Sequence, residues 1–274
     1  MWSIRLSPSD QVRDGLLAEL WDCGTSGIIE EPTGSLRAFF EAEEQGRLIQ
    51  SHFSAIASEL REEPAPPPLN EDDGWEPVFA GEKFVIVPKG IAPGADFGGR
   101  IPLGVNAAMA FGSGRHESTQ LCLQALEIYV NPGQTVIDIG CGSGILSLAA
   151  QRLGAGMVIA CDIQPDAIRT AQEHYQGPIF QGSADAIAAS SAEVVLSNIS
   201  ARINDRIAAD LRRILKPGGV VILSGFVGEN TPKRFRPLQE FAQGDWLCWI
   251  CTGDCIEAEE DGKDVNSHPA DWWM

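Results

Sequence analysis

Asp138, Gly140, Gly142, Gly144 and Asp162 have the types and spacing needed to hold a nucleotide-like ligand. The first four lie in TVIDIGCGSGILSLAAQRLG (residues 135–154), and Asp162 closes the next apolar run, MVIACD. An apolar strand ending near an acid, glycines at alternate positions and an immediate helical pattern describe a strand, a tight turn and a helix N-terminus. Nucleotides bind on such an edge. Asp162 stands 22 residues after Gly140, where a carboxylate can accept both hydroxyls of an adenosine ribose, and Ile163 follows it as a further contact. The chain is therefore expected to bind an adenosine-containing cofactor.

The spacing also chooses between cofactors. A dinucleotide fingerprint reads Gly-x-Gly-x-x-Gly, its third glycine letting the helix pack on the strand while a pyrophosphate meets the helix N-terminus. Here the pattern is Gly-x-Gly-x-Gly, and Ile145 occupies the place of that third glycine. A carboxylate at the strand end, Asp138, would repel a pyrophosphate and attract a cation. S-adenosylmethionine carries a sulfonium and an α-ammonium and no phosphate, so a site with Asp138 and Asp162 suits it. S-adenosylmethionine is favoured over a nicotinamide dinucleotide; a glycine turn that holds no ligand is the plain alternative.

With 274 residues, 44% of them hydrophobic, the chain has room for one large α/β domain and a smaller one. No apolar run approaches a membrane span, and MWSIRLSPSDQ lacks the basic start and apolar core of a signal peptide. A cytoplasmic protein without membrane contact is expected. The net charge of −18 divides into −11 over residues 1–88, −1 over 89–253 and −6 over 254–274. Such acidity argues against nucleic acid, which needs basic surface. It favours a basic protein partner, although acid-rich surface also serves solubility alone. Cys122, Cys141 and Cys161 sit in apolar runs as small core residues. Cys248, Cys251 and Cys255 raise the question of zinc, with His268 a conceivable fourth ligand. DWLCWIC alternates as a strand, however, which sends Cys248 and Cys251 to opposite faces, and no metal is expected.

Residues 1–61 read as a small α/β unit. SIRLS is a short strand, Asp10 caps a helix running through Trp21, GIIEE and LRAFF pair around Pro32–Gly34, and helical spacing follows from Gly46 to Leu60. Residues 62–75, rich in proline and acid, form a stiff exposed linker. Residues 76–253 are the cofactor domain, opened by a bridging segment (76–100) with one strand ending at Pro88. Its strands, at 135–139, 157–162, 178–182, 193–198, 219–225 and 245–251, alternate with helices near 117–130, 144–153, 165–175, 203–214 and 229–242. That alternation makes a doubly wound, Rossmann-like parallel sheet. KPGG (216–219) marks a turn before the fifth of these strands, and residues 254–274 form an acidic, mobile tail.

Four segments, MAFGSGRHESTQLCLQAL, VIDIGCGSGILSLAAQRLGA, VVLSNIS and LKPGGVVILSG, resemble the ribosomal protein L11 methyltransferases. That family belongs to the seven-stranded, S-adenosylmethionine-dependent methyltransferases. The resemblance implies methylation of lysine side chains and an α-amine on a basic ribosomal protein, gripped by the front domain across a flexible linker. Motif by motif, the family's cofactor contacts fall on Thr119, Gly140, Asp162 and Asn198, and an acid such as Asp185 often meets the adenine amino group in this class. Asn198, ending its strand, is a catalytic candidate able to offer its amide oxygen to the amine or the cofactor; its alternative is a turn cap. His116 is the second candidate, for proton transfer or for ordering the loop. The family pattern D-P-G-M-A-F-G-T-G-T-H-P-T-T becomes NAAMAFGSGRHEST here, altering Asn106–Ala108, Ser113, Arg115, Glu117 and Ser118, and Ser200 replaces a leucine. A different methyl acceptor, protein or small molecule, and a cofactor-binding protein without transferase activity remain the rival readings.

Overall fold

The computed structural model describes residues 1–9, 16, 20, 23, 25, 27–30, 34–63, 76–89, 96–105 and 114–257. The chain divides into two compact units, one up to Ala65 and one from Pro66 to Ile256.

In the first unit β1 (Trp2–Leu6), β2 (Gly27–Glu30), β3 (Leu36–Phe40) and β4 (Arg61–Glu62) form a sheet in the order β2-β3-β1-β4. Strand alternation turns Ile4, Leu6, Leu36, Ala38 and Phe40 to one core, shared with Leu16, Leu20 and Ile49. The β2–β3 pair is antiparallel as expected. The helix expected from Asp10 lies outside the described residues except at Leu16 and Leu20, and so does most of the linker. Helix α1 (Glu43–His52) begins three residues before the expected start and ends well before Leu60. Beyond Phe53 the backbone pairs with β1 instead: Ala57 bridges Leu6, and Ser58 N–H donates to the Arg5 carbonyl at 2.7 Å. A helix cannot share those groups with a strand.

In the second unit the bridging segment holds two strands, not one. β5 (Val78–Ala80) and β6 (Phe84–Pro88) form a hairpin around Gly81, and β7 (Ile101–Val105) adds parallel to β6. The large sheet follows: α2 (Glu117–Tyr129), β8 (Thr135–Ile139), α3 (Ile145–Arg152), β9 (Met157–Asp162), α4 (Pro165–His174), β10 (Ile179–Gln181), β11 (Ala192–Asn198), α5 (Ala201–Arg206), α6 (Ala208–Ile214), β12 (Leu215–Val227), β13 (Gln239–Gln243) and β14 (Trp246–Thr252). Its seven strands run in the order β10-β9-β8-β11-β12-β14-β13, and β14 alone among them is antiparallel to the rest. β8 and β11 read as near-continuous apolar runs because helices cover both faces. On one face Cys122 of α2 meets Cys248 and Ser224. On the other, Ala201, Ala208 and Leu211 join Leu223, Trp249 and Cys251 in one core. Cys248 and Cys251 thus take opposite faces.

Three further expectations need correction. The stretch 229–242 is not a helix: Pro232 and Pro237 interrupt it, the Asp205 carboxylate takes the N–H groups of Lys233 and Arg234 at 2.9 Å each, and its end becomes β13. The helix expected at 203–214 is two, broken where Ile207 leaves helical geometry (φ −94°, ψ 8°). KPGG lies inside β12 as an irregularity: Leu215 pairs with Ala192 and Val220 with Val194, so residues 216–219 loop past Glu193 alone. Lys216 Nζ holds that loop to the Glu193 carboxylate at 2.7 Å.

Candidate active site

After β8 the sheet grows through β9 and β10 on one side before the chain crosses to β11 on the other. The carboxyl ends of β8 and β11 therefore open a crevice, where ligands settle on sheets of this kind. The glycine turn lines it. Gly140, Gly142 and Gly144 all have positive φ (71°, 52° and 76°), a conformation that a side chain strains. A Cβ on Gly140 would stand 2.5 Å from Ile199 Cγ2, and one on Gly144 3.0 Å from Ala171 Cβ of α4. Gly144 thus permits the close helix packing for which a dinucleotide site uses its third glycine. A Cβ on Gly142 would meet nothing within 4 Å, so the turn's open side is there.

Asp162, at the end of β9, accepts the Gly142 N–H at 3.0 Å on one oxygen and the Gln164 N–H at 2.9 Å on the other. Each oxygen keeps a second lone pair for a ligand. The acid read as a ribose contact therefore also fastens the glycine turn. Burial pushes its pKa up. Ile163 beside it is 40% exposed, an apolar surface suited to the face of a base. Asp138 is placed differently from a contact residue. It is 1% exposed and accepts the Ser147 hydroxyl at 2.6 Å. Burial raises its pKa to about 6, the Ser147 hydrogen bond opposes the rise, and the charge of Asp162 adds to it. Asp138 acts on the crevice by its field from beneath the turn.

Asn198 ends β11. Its Nδ2 lies 3.5 Å from Thr119 Oγ1, which joins the two at the crevice wall, and its Oδ1 is buried with no hydrogen-bond partner. It does not cap the next helix, because Ser200 does: its Oγ accepts the Ile203 N–H at 3.4 Å. Asn204 takes the Ser197 hydroxyl at 2.7 Å and donates to the Ile199 carbonyl at 2.8 Å. A Cβ on Gly225 (φ 91°) would fall 2.6 Å from that carbonyl, so β12 reaches the Asn198–Ser200 turn only through a glycine. An orphaned buried acceptor costs roughly 1–3 kcal/mol and calls for a donor from a ligand.

His116 is the N-cap of α2. Its Nδ1 accepts the Ser118 N–H at 3.2 Å and lies 2.8 Å from Ser118 Oγ, while its ring stands edge-on to Trp246 with centroids 4.3 Å apart. The altered Ser118 is thus a partner of the histidine, and Glu117 sits in the first helical turn, where an acid is favourable. Thr119 follows, buried. A Cβ on Gly114 would stand 2.5 Å from Ile145 Cδ1, which brings this segment to the start of α3; Asn106–Ala108 and Ser113 lie outside the described residues. Asp185 is exposed on a 3₁₀ turn, Ala184–Ala186, that follows β10.

Ser147, His174, Arg213 and Trp246 escaped the sequence reading. His174 Nδ1 lies 3.1 Å from the Ser143 carbonyl in the glycine turn, and burial lowers its pKa. Ser147 had a signal: one hydroxyl inside the apolar helix ILSLAA implies a buried partner. Among the described residues no group of three His, Cys, Asp or Glu side chains is placed to hold a metal, and no helix is long and apolar enough to cross a membrane.

A glycine turn over two carboxylates at the switch point of a mostly parallel seven-stranded sheet defines a Rossmann-like methyltransferase. The family model described as ribosomal protein L11 methyltransferase (PrmA) matches residues 68–252. The ribosomal protein L11 methyltransferase of Thermus thermophilus is 31% identical over 261 residues, 90% of this chain and 98% of that protein. That of Geobacter metallireducens is 38% identical over 251 residues, 81% and 82% of the two chains. The crystal structure of a ribosomal protein L11 methylase from Lactobacillus delbrueckii subsp. bulgaricus superposes with a TM-score of 0.57 at 27% identity, covering 64% of this chain and 96% of that one. The chain belongs to the ribosomal protein L11 methyltransferase family.

Proposed function

We propose that this methyltransferase transfers methyl groups from S-adenosylmethionine to amino groups of ribosomal protein L11, on lysine side chains or the α-amine. The observation that carries this reading is the buried, unpartnered Oδ1 of Asn198 beside the glycine turn, an acceptor that an amine N–H satisfies. In this reading Asp162 takes the ribose hydroxyls, Ile163 lies against adenine, and Asp185 meets its amino group. The peptide edge of Gly140–Gly144 with Thr119 flanks the amino-acid end, and Asp138 favours its positive charge. When bound, the sulfonium supplies an electrophilic methyl carbon that already carries a good leaving group. The protein then has to align a neutral amine and exclude water. A free lysine has a pKa of about 10.4, so the amine must shed its proton before attack; water can take it, and no strong general base is required. Asn198 orients the remaining N–H groups so that the lone pair faces the methyl carbon. His116 orders the start of α2, and with it Thr119.

Residues 1–61 fit a recognition unit for a basic protein, residues 62–75 a linker to the catalytic unit at 76–253, and residues 254–274 an acidic tail. A cytoplasmic site of action, without direct nucleic-acid or membrane contact, accords with this reading. Incubation with methyl-labelled S-adenosylmethionine and the ribosomal proteins of the same cell should label L11. Label on another protein would transfer the reading to a different acceptor, and cofactor binding without label anywhere would make the chain a binding protein. Calorimetric binding of NADH but not S-adenosylmethionine would overturn the cofactor assignment.

A further inference from the structure

We propose that Arg213 is the positioning residue of the adenine end of the cofactor site, holding the turn that presents Asp185. The inference rests on the S-adenosylmethionine reading and adds a residue to it. Asp185 sits on an exposed 3₁₀ turn, and among the described residues no hydrogen bond or ion pair is made by its carboxylate. Nothing within the turn fixes where that carboxylate points. The fixing comes from α6. Arg213 Nη1 donates to the Ile187 carbonyl at 2.5 Å, and Nη2 donates to the Ala184 carbonyl at 3.0 Å, with the Asp185 carbonyl at 3.4 Å. The guanidinium is itself held flat by Asp210, whose Oδ1 accepts from Nε at 3.0 Å and Nη2 at 2.8 Å. The main chain joins in: Ser190 N–H donates to the Arg213 carbonyl at 2.9 Å and Ser191 N–H to that of Ile214 at 2.8 Å.

One side chain thus gathers the carbonyls on both sides of Asp185 and Asp185's own. Guanidinium donors form a planar, rigid fork, so the carbonyls it binds are fixed in direction as well as distance. The Cα–Cβ bond of Asp185 is fixed with them. A lysine in the same place has a point charge on a flexible stem and can satisfy only part of this set. Asp210 makes the arrangement a chain: carboxylate to guanidinium to turn to Asp185. Arg213 bonds to the turn after β10 and to Asp210, and not to Asn198 or Thr119, so the effect belongs to cofactor recognition and not to transfer.

The test uses the full-length protein and two probes, S-adenosylhomocysteine and its analogue lacking the 6-amino group of adenine, with affinities read by calorimetry. The wild type should prefer the amino compound by about tenfold, the scale of one charge-assisted hydrogen bond. Arg213→Ala should weaken binding of the amino compound about tenfold, reduce the preference to within twofold, and leave turnover at saturating cofactor within twofold of wild type. Asp185→Ala should abolish the preference and cause no further loss in the Arg213→Ala background. Arg213→Lys should be intermediate, and it serves if the alanine variant folds poorly. A purely structural arginine would weaken both probes alike and preserve the preference, and that result would overturn the proposal. So would a wild type that binds both probes equally. A wild type that binds neither probe would instead refute the cofactor reading itself.

Discussion

At the residue scale the site turns on carboxylates with divided duties. Asp162 was legible from its distance to the glycines, yet the reading saw only a ligand contact. The structure adds that its two oxygens hold the Gly142 and Gln164 N–H groups, a use of backbone donors that no spacing reveals. Asp162→Ala should therefore weaken S-adenosylmethionine binding by roughly ten- to a hundredfold, through a lost charge-assisted pair and a loosened turn; unchanged affinity in calorimetry would remove Asp162 from the site. Asp138 makes a prediction about pH. Its pKa of about 6 in the folded protein exceeds the ordinary aspartate value of 3.8, so between those values the native state holds more protons than the unfolded chain. Its contribution to stability is fully present below pH 4 and is lost as pH rises through 6. Asp162, raised by its own burial, adds in the same direction. A cationic ligand reverses the bias, because it favours the ionised carboxylate. Binding of S-adenosylmethionine should release a proton near pH 6, and affinity should rise from pH 5 to 7 and then level off. Calorimetry in buffers of different ionisation heat measures the proton. Asp138→Asn should flatten the profile, and a flat wild-type profile would refute the coupling.

At the element scale the strands and helices around the glycines were readable, since β8, β9 and β11 are apolar runs of the right length separated by helical periodicity. What failed was the region where local pattern and tertiary pairing compete. Residues 229–242 carry enough apolar spacing to suggest a helix, but the N–H groups of Lys233 and Arg234 go to the Asp205 carboxylate, those of Arg236 and Leu238 go to the Cys255 and Ile250 carbonyls, and their end joins β14. Gly225 shows the same limit from another side. It looked like the end of a strand; in fact it lets β12 touch the Asn198–Ser200 turn. A pair of substitutions isolates that contact. Gly218 and Gly225 both have positive φ (78° and 91°), so alanine strains either by about 1–2 kcal/mol. Only at Gly225 does the new Cβ also meet backbone, at 2.6 Å from the Ile199 carbonyl; at Gly218 it meets nothing within 4 Å. Gly218→Ala should lower the unfolding free energy by that strain alone and leave catalysis intact. Gly225→Ala should destabilise by a further 1–3 kcal/mol, the range for overpacking, and lower kcat by displacing Asn198. Chemical denaturation and steady-state rates on the two variants decide it, and equal effects would show that the contact is immaterial.

At the scale of the whole molecule the informative property is how charge is shared out. The segment holding the glycine turn is nearly neutral at −1 over residues 89–253, while residues 1–88 carry −11 and residues 254–274 carry −6. If the front unit recruits a basic protein by its field, the acceptor's KM should depend on salt while the cofactor's should not. Exposed charges more than a Debye length apart are largely screened, and that length falls from about 10 Å at 0.1 M to about 3 Å at 1 M. Electrostatic recruitment acts mainly on the association rate. Raising sodium chloride from 0.05 to 0.5 M should therefore raise the KM for ribosomal protein L11 by about tenfold or more, with kcat and the S-adenosylmethionine KM within twofold. Charge reversal to lysine of the exposed Glu41 and Glu44, which flank and open the first turn of α1, should blunt that dependence without touching cofactor affinity. Their substitution also places cations at a helix N-terminus, which costs a few tenths of a kcal/mol each, so thermal unfolding must accompany the kinetics. An acceptor KM indifferent to salt would leave the acidic front as a solubility feature and move recognition to shape and apolar contact.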